Sequence, residues 1–385
     1  VKLNLSIVSA ALAACSVAAG DEPLTIKGYF DHVVSVAFSP DSKLVAAGDR
    51  SGVVKVWNAA DGASIAIFRE AGENEAAALA FSADSQSVFV GVGHALKSNS
   101  MPGAVERWAL TTRGDGEVVK GSAERIATSA AHGGKVSALA LSPNGRYLFA
   151  GDRVGTVAVL GAAKLDALHV FKVGVIYNNI ETKLPIDSLA LSVDGECWTA
   201  FGFVNGYHYG FLHTGYGAEA GKISLPDYPK AGAFSPDGKV LAVGKSTVVW
   251  VDVAATLAAK WPQPRVDPKI ELKPASIIVD IASMAYSADG KLLALLNRDE
   301  VLLWDVVGKR QLPSATGHAF RITAIAFSPD SKLLATTSAD KTVKIWSVAK
   351  LLEAEPPVEP KPKPADPKVP EVKVPKVETP KVPVP

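Results

Sequence analysis

The side chains in this chain that could do chemistry are few and far apart. The densest group is Gly202-Phe203-Val204-Asn205-Gly206-Tyr207-His208-Tyr209, followed by Phe211 and His213. Aromatic faces and imidazoles gathered in this way could hold a sugar or a metal. Strand alternation, however, sets His208 on the opposite face from Tyr207 and Tyr209, and no carboxylate recurs at ligand spacing, so the group reads as a packed strand. The other five His, at 32, 94, 132, 169 and 318, are spread along the chain. There is no nucleophile elbow, phosphate loop, His-Glu-x-x-His helix or pair of carboxylates in a shared pocket. Of two Cys, Cys15 and Cys197, neither sits in a zinc or haem-attachment spacing. No catalytic residue, metal site or cofactor is expected, and the chain reads as non-enzymatic.

A second set of candidates depends on the elements that carry it. Arg50, Arg153, Lys245, Arg298 and Lys341 each sit in a turn at a corresponding place in a repeated unit. The unit is marked by seven near-copies of one phrase, an alternating apolar run ending in Ala, a large apolar residue and Ser. Its serines are Ser39, Ser82, Ser142, Ser192, Ser235, Ser287 and Ser328, separated by 43, 60, 50, 43, 52 and 41 residues. A period of this size points to one supersecondary unit repeated around an axis, here seven times. The last copy is clearest: Ile322 to Phe327, a Ser-Pro-Asp turn, Leu333 to Thr337, a second turn, and Val343 to Trp346 read as three antiparallel strands a, b and c. Pro follows the serine at 40, 143, 236 and 329, and Gly145, Gly195, Gly238 and Gly290 supply a left-handed residue to the a-b turn. Ala precedes the large residue in every copy, which places strand a near the axis where sheets crowd. Equivalence of the repeats then puts the five basic residues on one face as a partial rim around a channel mouth, a candidate binding site for an anionic protein partner. Asp49, Asp152, Asp299 and Asp340 lie beside them and can pair locally.

These units resemble the WD-repeat family of β-propellers from about Leu24 to about Val348. Gly317-His318, Ala131-His132 and Trp304-Asp305 match that family's Gly-His and Trp-Asp pairs, and Trp57, Trp108, Trp250 and Trp346 fall at the same strand-c place. The resemblance implies an all-β fold, a seven-bladed propeller of four-stranded antiparallel blades, closed by the N-terminal segment Leu24 to Ile26 as the last strand of the last blade. It also implies a hydrogen-bonded set within a blade, complete only in the last one through His318, Thr323, Asp340 and Trp346. Blade three has Leu160 where Trp is expected, and blade one has Tyr29, Val34 and Ser51 at the other three places. Propeller enzymes draw acids and His from inner strands; here those strands offer Val, Ala and Leu.

The 40 basic and 39 acidic residues give a net charge of +1, which provides no bulk field for nucleic acid or an anionic membrane. Residues 1–20 have the layout of an export signal. Leu12-Ala13-Ala14-Cys15 resembles the lipobox of bacterial lipoproteins, which makes Cys15 the lipidation candidate; cleavage near Ala19 or Gly20 is the alternative. The expected location is therefore the bacterial cell envelope, lipid-anchored, or the periplasm or exterior. Residues 21–350 form the propeller, and 351–385 a Pro, Lys, Glu and Val-rich tail or linker whose six basic and six acidic residues from Glu353 onward cancel. Long polar stretches at His94 to Pro102 and Thr111 to Ser122, the latter holding Arg113-Gly114-Asp115, account for the 60-residue step. The expected function is a monomeric scaffold for a protein partner, with a metal- or small-ligand-binding propeller, or a docking module of a larger polypeptide, as alternatives.

Overall fold

Alternating apolar residues and serine-led turns produce short strands, and these assemble into seven four-stranded antiparallel sheets. The computed structural model describes residues 22–29, 31–68, 74–94, 102–111, 123–177, 180–215, 221–225, 229–244, 247–258, 266–272 and 281–353. The export segment with Cys15, the Arg113-Gly114-Asp115 stretch, Lys245 and the tail from 354 lie outside them. The innermost strands of blades one to seven are Val33–Phe38, Asn74–Phe81, Val136–Leu141, Ile186–Leu191, Ala231–Phe234, Ile281–Tyr286 and Ile322–Phe327. Strands b, c and d follow outward in chain order in the first six blades. The described helices, Val253–Ala258 and Val348–Glu353, are short, and none is long and apolar enough to cross a membrane.

Each a-b turn is built the same way. The repeat serine's hydroxyl donates to an Asp or Asn two residues on and accepts from the backbone N–H five residues on, as in Ser39 with Asp41 and Leu44 and Ser328 with Asp330 and Leu333. Buried, this serine substitutes for water in satisfying the turn's polar groups. The next residue is left-handed in every blade: Gly145, Gly195, Gly238 and Gly290 as expected, but Ser42, Ser85 and Ser331 in the other three. Those three serines latch neighbouring blades. Ser85, Ser42 and Ser331 accept from the N–H of Asp41, Asp330 and Asp289 respectively, each in the preceding blade's turn.

The core is a set of clusters lying between blades. Val36 and Phe38 pack with the last blade's Ala335 and Ile345, while Ala37 between them packs with the second blade's Leu79 and Phe81. The alanine of the repeated phrase is thus held small by the following blade, and its large neighbours fill the gap to the preceding one. Both faces of each sheet are covered, so a blade on its own would expose its core.

Closure is as the resemblance implied. Leu24–Ile26 pairs antiparallel with Val343–Ser347, Leu24 opposite Ile345 and Ile26 opposite Val343. Thr323 Oγ1 donates to the Val33 carbonyl across the same seam, Ser35 donates from blade one to Ala76, and Ser137 from blade three to Ile186. Inner-strand hydroxyls therefore tie blade to blade.

Candidate functional site: the channel mouth

Strand a is irregular at the same place in six blades. Its register shifts after Val33, Ala76, Val136, Ile186, Ile281 and Ile322, so that one residue has no partner on strand b. A bulge re-aims the extra side chain. The six extra residues, Val34, Ala77, Ser137, Asp187, Ala282 and Thr323, all line one cavity of about 320 Å³ at the channel mouth, together with Glu75, Lys135, Arg153 and Arg321.

Local backbone bonding brings the charged residues there. The b-c turn bonds back to the residue just before strand a: Arg153 N–H donates to the Lys135 carbonyl at 3.0 Å, and Ala339 N–H to that of Arg321 at 3.0 Å. Lys135 Nζ lies 3.0 Å from Glu75 Oε2, and Arg153 pairs with Asp187. Burial pulls the Arg153 guanidinium below its ordinary value, and Glu75 opposes that pull. Arg321 is exposed and forms no ion pair among the described residues. The mouth is thus a pair of acid-base couples with one uncommitted cation, a setting that favours an incoming carboxylate without excluding dipolar groups.

The expected rim is only partly assembled. Of its five residues Arg153 lines the cavity, while Arg50 and Arg298 lie on b-c turns that do not, and Lys341 occupies the last blade's left-handed turn position. Nor do the neighbouring acids pair as anticipated: Asp49 binds Ser51 and the Val53 N–H, and Asp152 binds the N–H groups of Val154 and Thr156, which leaves Arg153 to Asp187. The inner strands also differ from expectation, because the bulge presents Ser137, Asp187 and Thr323 rather than Val, Ala and Leu alone. Lys135, Asp187 and Arg321 were absent from the sequence reading; the residue just before or just inside each strand a is the signal that would have found them.

The intrablade network also needs one correction. In blade seven His318 Nδ1 lies 2.9 Å from Asp340 Oδ2 and Nε2 lies 2.8 Å from Thr336 Oγ1, while Trp346 Nε1 donates to the same hydroxyl at 3.0 Å. The hydroxyl belongs to Thr336 on strand b, not to Thr323, which the bulge turns toward blade one. Desolvation lowers the His318 pKa, against the opposing pull of Asp340. Blade three lacks the set: Ala150 and Leu160 stand at the Thr336 and Trp346 places, and His132 Nδ1 is 3.7 Å from Asp152 Oδ2, both side chains fully buried. In blade one the Tyr29 hydroxyl donates to the Ala47 carbonyl at 2.9 Å, reaching the same strand with a longer side chain.

In blade four His213 stacks on Trp198, ring centroids 3.8 Å apart and planes within 4°, and His208 packs on Phe203. The His and aromatic group is structural packing in this geometry, and no group of three or more His, Cys, Asp or Glu among the described residues is arranged to hold a metal. Cys197 is buried, and burial with Asp194 and Glu196 nearby pushes its thiol up to about 11.

Comparison with known proteins agrees with the geometry. The family model described as WD domain, G-beta repeat matches residues 20–58, 123–157 and 309–347. Each match begins on or before the outer strand of one blade and runs into the next, so the sequence unit is offset from the blade by a strand. The chain is 37% identical over 67 residues to a guanine nucleotide-binding protein subunit beta of Schizosaccharomyces pombe, 17% of this chain and 22% of that protein. It is 43% identical over 67 residues to the target of rapamycin complex subunit wat1 of the same yeast, 17% and 21% of the two. An uncharacterised WD repeat-containing protein of Synechocystis is 28% identical over 118 residues, 30% of each chain. The similarity thus spans about a fifth to a third of these relatives' lengths. Seven blades of one design, with the family's repeat matched in three places, make this chain a WD-repeat β-propeller.

Proposed function

We propose that the protein is a non-catalytic interaction scaffold whose channel mouth receives an acidic segment of a protein partner. The observation that carries this reading is the mouth itself: charged residues from blades two, three, four and seven converge on one cavity, and Arg321 is left uncommitted. A closed ring holds these groups in place before binding, so little ordering cost opposes association. WD-repeat propellers typically mediate protein-protein contacts, which supports the class of function. The earlier basic rim enters in reduced form, with Arg153 and Arg321 contacting the partner and Arg50, Arg298, Lys341 and Lys245 guiding approach. Affinity capture from the native envelope, with wild-type protein and with Lys135→Glu/Arg321→Glu, tests it. Partners lost from the variant and weakened by salt support the proposal; an unchanged set of captured proteins rejects it.

The same reading places the protein in the cell envelope as a monomer, exported by residues 1–20 and anchored through an acylated Cys15. Mass measurement of the mature N-terminus checks this. A diacyl or triacyl adduct on Cys15 is the expected result, and an unmodified start near Gly20 or Asp21 rejects anchoring.

A further inference from the structure

The 50-residue step between the third and fourth serines contains an insertion that the other blades lack. Gly174–Tyr177 and Ile180–Lys183 form an antiparallel hairpin, with Val175 opposite Thr182 and Ile176 opposite Glu181. It leaves the outer strand of blade three, Ala167–Lys172, and returns to the inner strand of blade four, which places it on the face that carries the b-c turns and the channel mouth.

The root of the hairpin is built in. Val173 N–H donates to the Gly155 carbonyl at 2.8 Å, and Leu184 N–H to the Val173 carbonyl at 2.9 Å. Val173, Val175 and Leu184 are buried. Two glycines make room for it. A Cβ on Gly155 would lie 2.9 Å from the Val173 oxygen, and one on Gly202 would lie 2.0 Å from the Pro185 oxygen.

Beside it stands a second projection. Blade four's b and c strands, Cys197–Val204 and Tyr207–Thr214, are each 8 residues long and turn through left-handed Asn205 and Gly206. Val204 and Tyr209 pack into the same cluster as the root of the insertion, so the two hairpins form one supported crest. Their tips are apolar and uncovered: Ile176 is 79% exposed, Ile180 67%, Phe203 46% and Tyr207 45%. Turns on a soluble face are ordinarily polar, and a group of large exposed apolar side chains on a rigid support marks a contact surface. Lys172 and Lys183 flank the root, exposed and without an ion pair among the described residues, against a single exposed acid, Glu181.

We propose that this crest is a docking site for an extended peptide segment of a protein partner, seating apolar side chains on Ile176, Ile180, Phe203 and Tyr207 and a carboxylate against Lys172 and Lys183. The inference rests on the scaffold reading and names the partner chemistry for it. The excess of unpaired cations selects an acidic peptide over a basic one, and Asp187, just beyond Pro185, makes the crest continuous with the mouth.

The test pans a random peptide library against the whole chain and measures the enriched peptides on variants. Enriched sequences are expected to combine two or more large apolar residues with Asp or Glu. Their affinity is expected to fall about tenfold or more on Ile176→Ser/Ile180→Ser and on Phe203→Ser, variants of exposed positions that keep the wild-type thermal midpoint. Gly202→Ala, which crowds Pro185 and shifts the crest without removing a contact residue, should weaken the same peptides. Peptides that bind all three variants as tightly as wild type overturn the crest, and a library that yields no binder overturns it too. The scaffold reading is judged separately: peptides or captured partners lost only on Lys135→Glu/Arg321→Glu sustain it while the crest fails.

Discussion

At the residue scale, the hydroxyl of Thr336 joins two buried donors, the His318 ring and the Trp346 indole. Thr336→Val leaves both without an acceptor and is expected to cost about 1–3 kcal/mol in urea unfolding. Thr323→Val removes one interblade bond at the seam and should cost less; equal losses would contradict the assignment. Because burial holds His318 below its ordinary pKa, the unfolded chain binds the extra proton first as pH falls. Its contribution is therefore complete above about 6.5 and is lost progressively on acidification below that value. A second loss is expected lower. In Asp194 and Asp237 the repeat serine's hydrogen bond is the largest influence and lowers the pKa. In Asp84, Asp289 and Asp330 burial pushes upward, but the hydrogen bonds and nearby cations outweigh it. Stability from these turns persists above about 3.8 and falls as they protonate. Urea midpoints followed from pH 8 to pH 3 should decline in both ranges, and His318→Asn should flatten only the upper one.

At the element scale, the left-handed serines separate strain from bonding. Ser42→Ala keeps the unfavourable backbone and loses the acceptor for Asp330 N–H, an expected loss of about 1–2 kcal/mol. Ser42→Gly loses the same bond but relieves the strain and should be nearly neutral. A calorimetric ranking with Gly below Ala would remove the latch from the account. What the sequence made legible divides along the same line. The serine phrases, Pro40, Pro143 and the turn glycines are local signals, and they specified strands a and b and the number of blades. The place of Thr323 was misjudged because a bulge of one residue turns a side chain from its own blade to the next, and nothing in an apolar run marks where that occurs. The same shift hid Asp187 from view. The insertion was readable in principle, since Asn178-Asn179 lies between Val175-Ile176-Tyr177 and Ile180-Glu181-Thr182, but the longer loops of blade two drew attention away from it.

At the scale of the whole molecule, three residue pairs at Leu24–Ile26 finish the ring, supported by Thr323, by Ser42 and by Lys344, whose ammonium reaches Thr25 Oγ1 at 3.1 Å. Removing residues up to Ile26 uncovers the edge of Val343–Ser347 and the apolar seam around Ile26, Tyr29 and Ile345. The truncated chain should unfold at a lower temperature and self-associate in light scattering, because a bare strand edge is a template for pairing. An unaltered melting temperature would mean that the ring is held shut without that strand.

The short outer strand has a mechanical consequence. Leu24 faces Ile345, so the segment leading into that strand and the helix Val348–Glu353 leave the body from the same corner, where Glu22, Leu24, Lys350 and Leu351 border one hollow. Tension applied between the two ends would strip the paired residues one after another instead of loading them all in parallel, and the propeller would yield first, at modest force, where its own beginning meets its end.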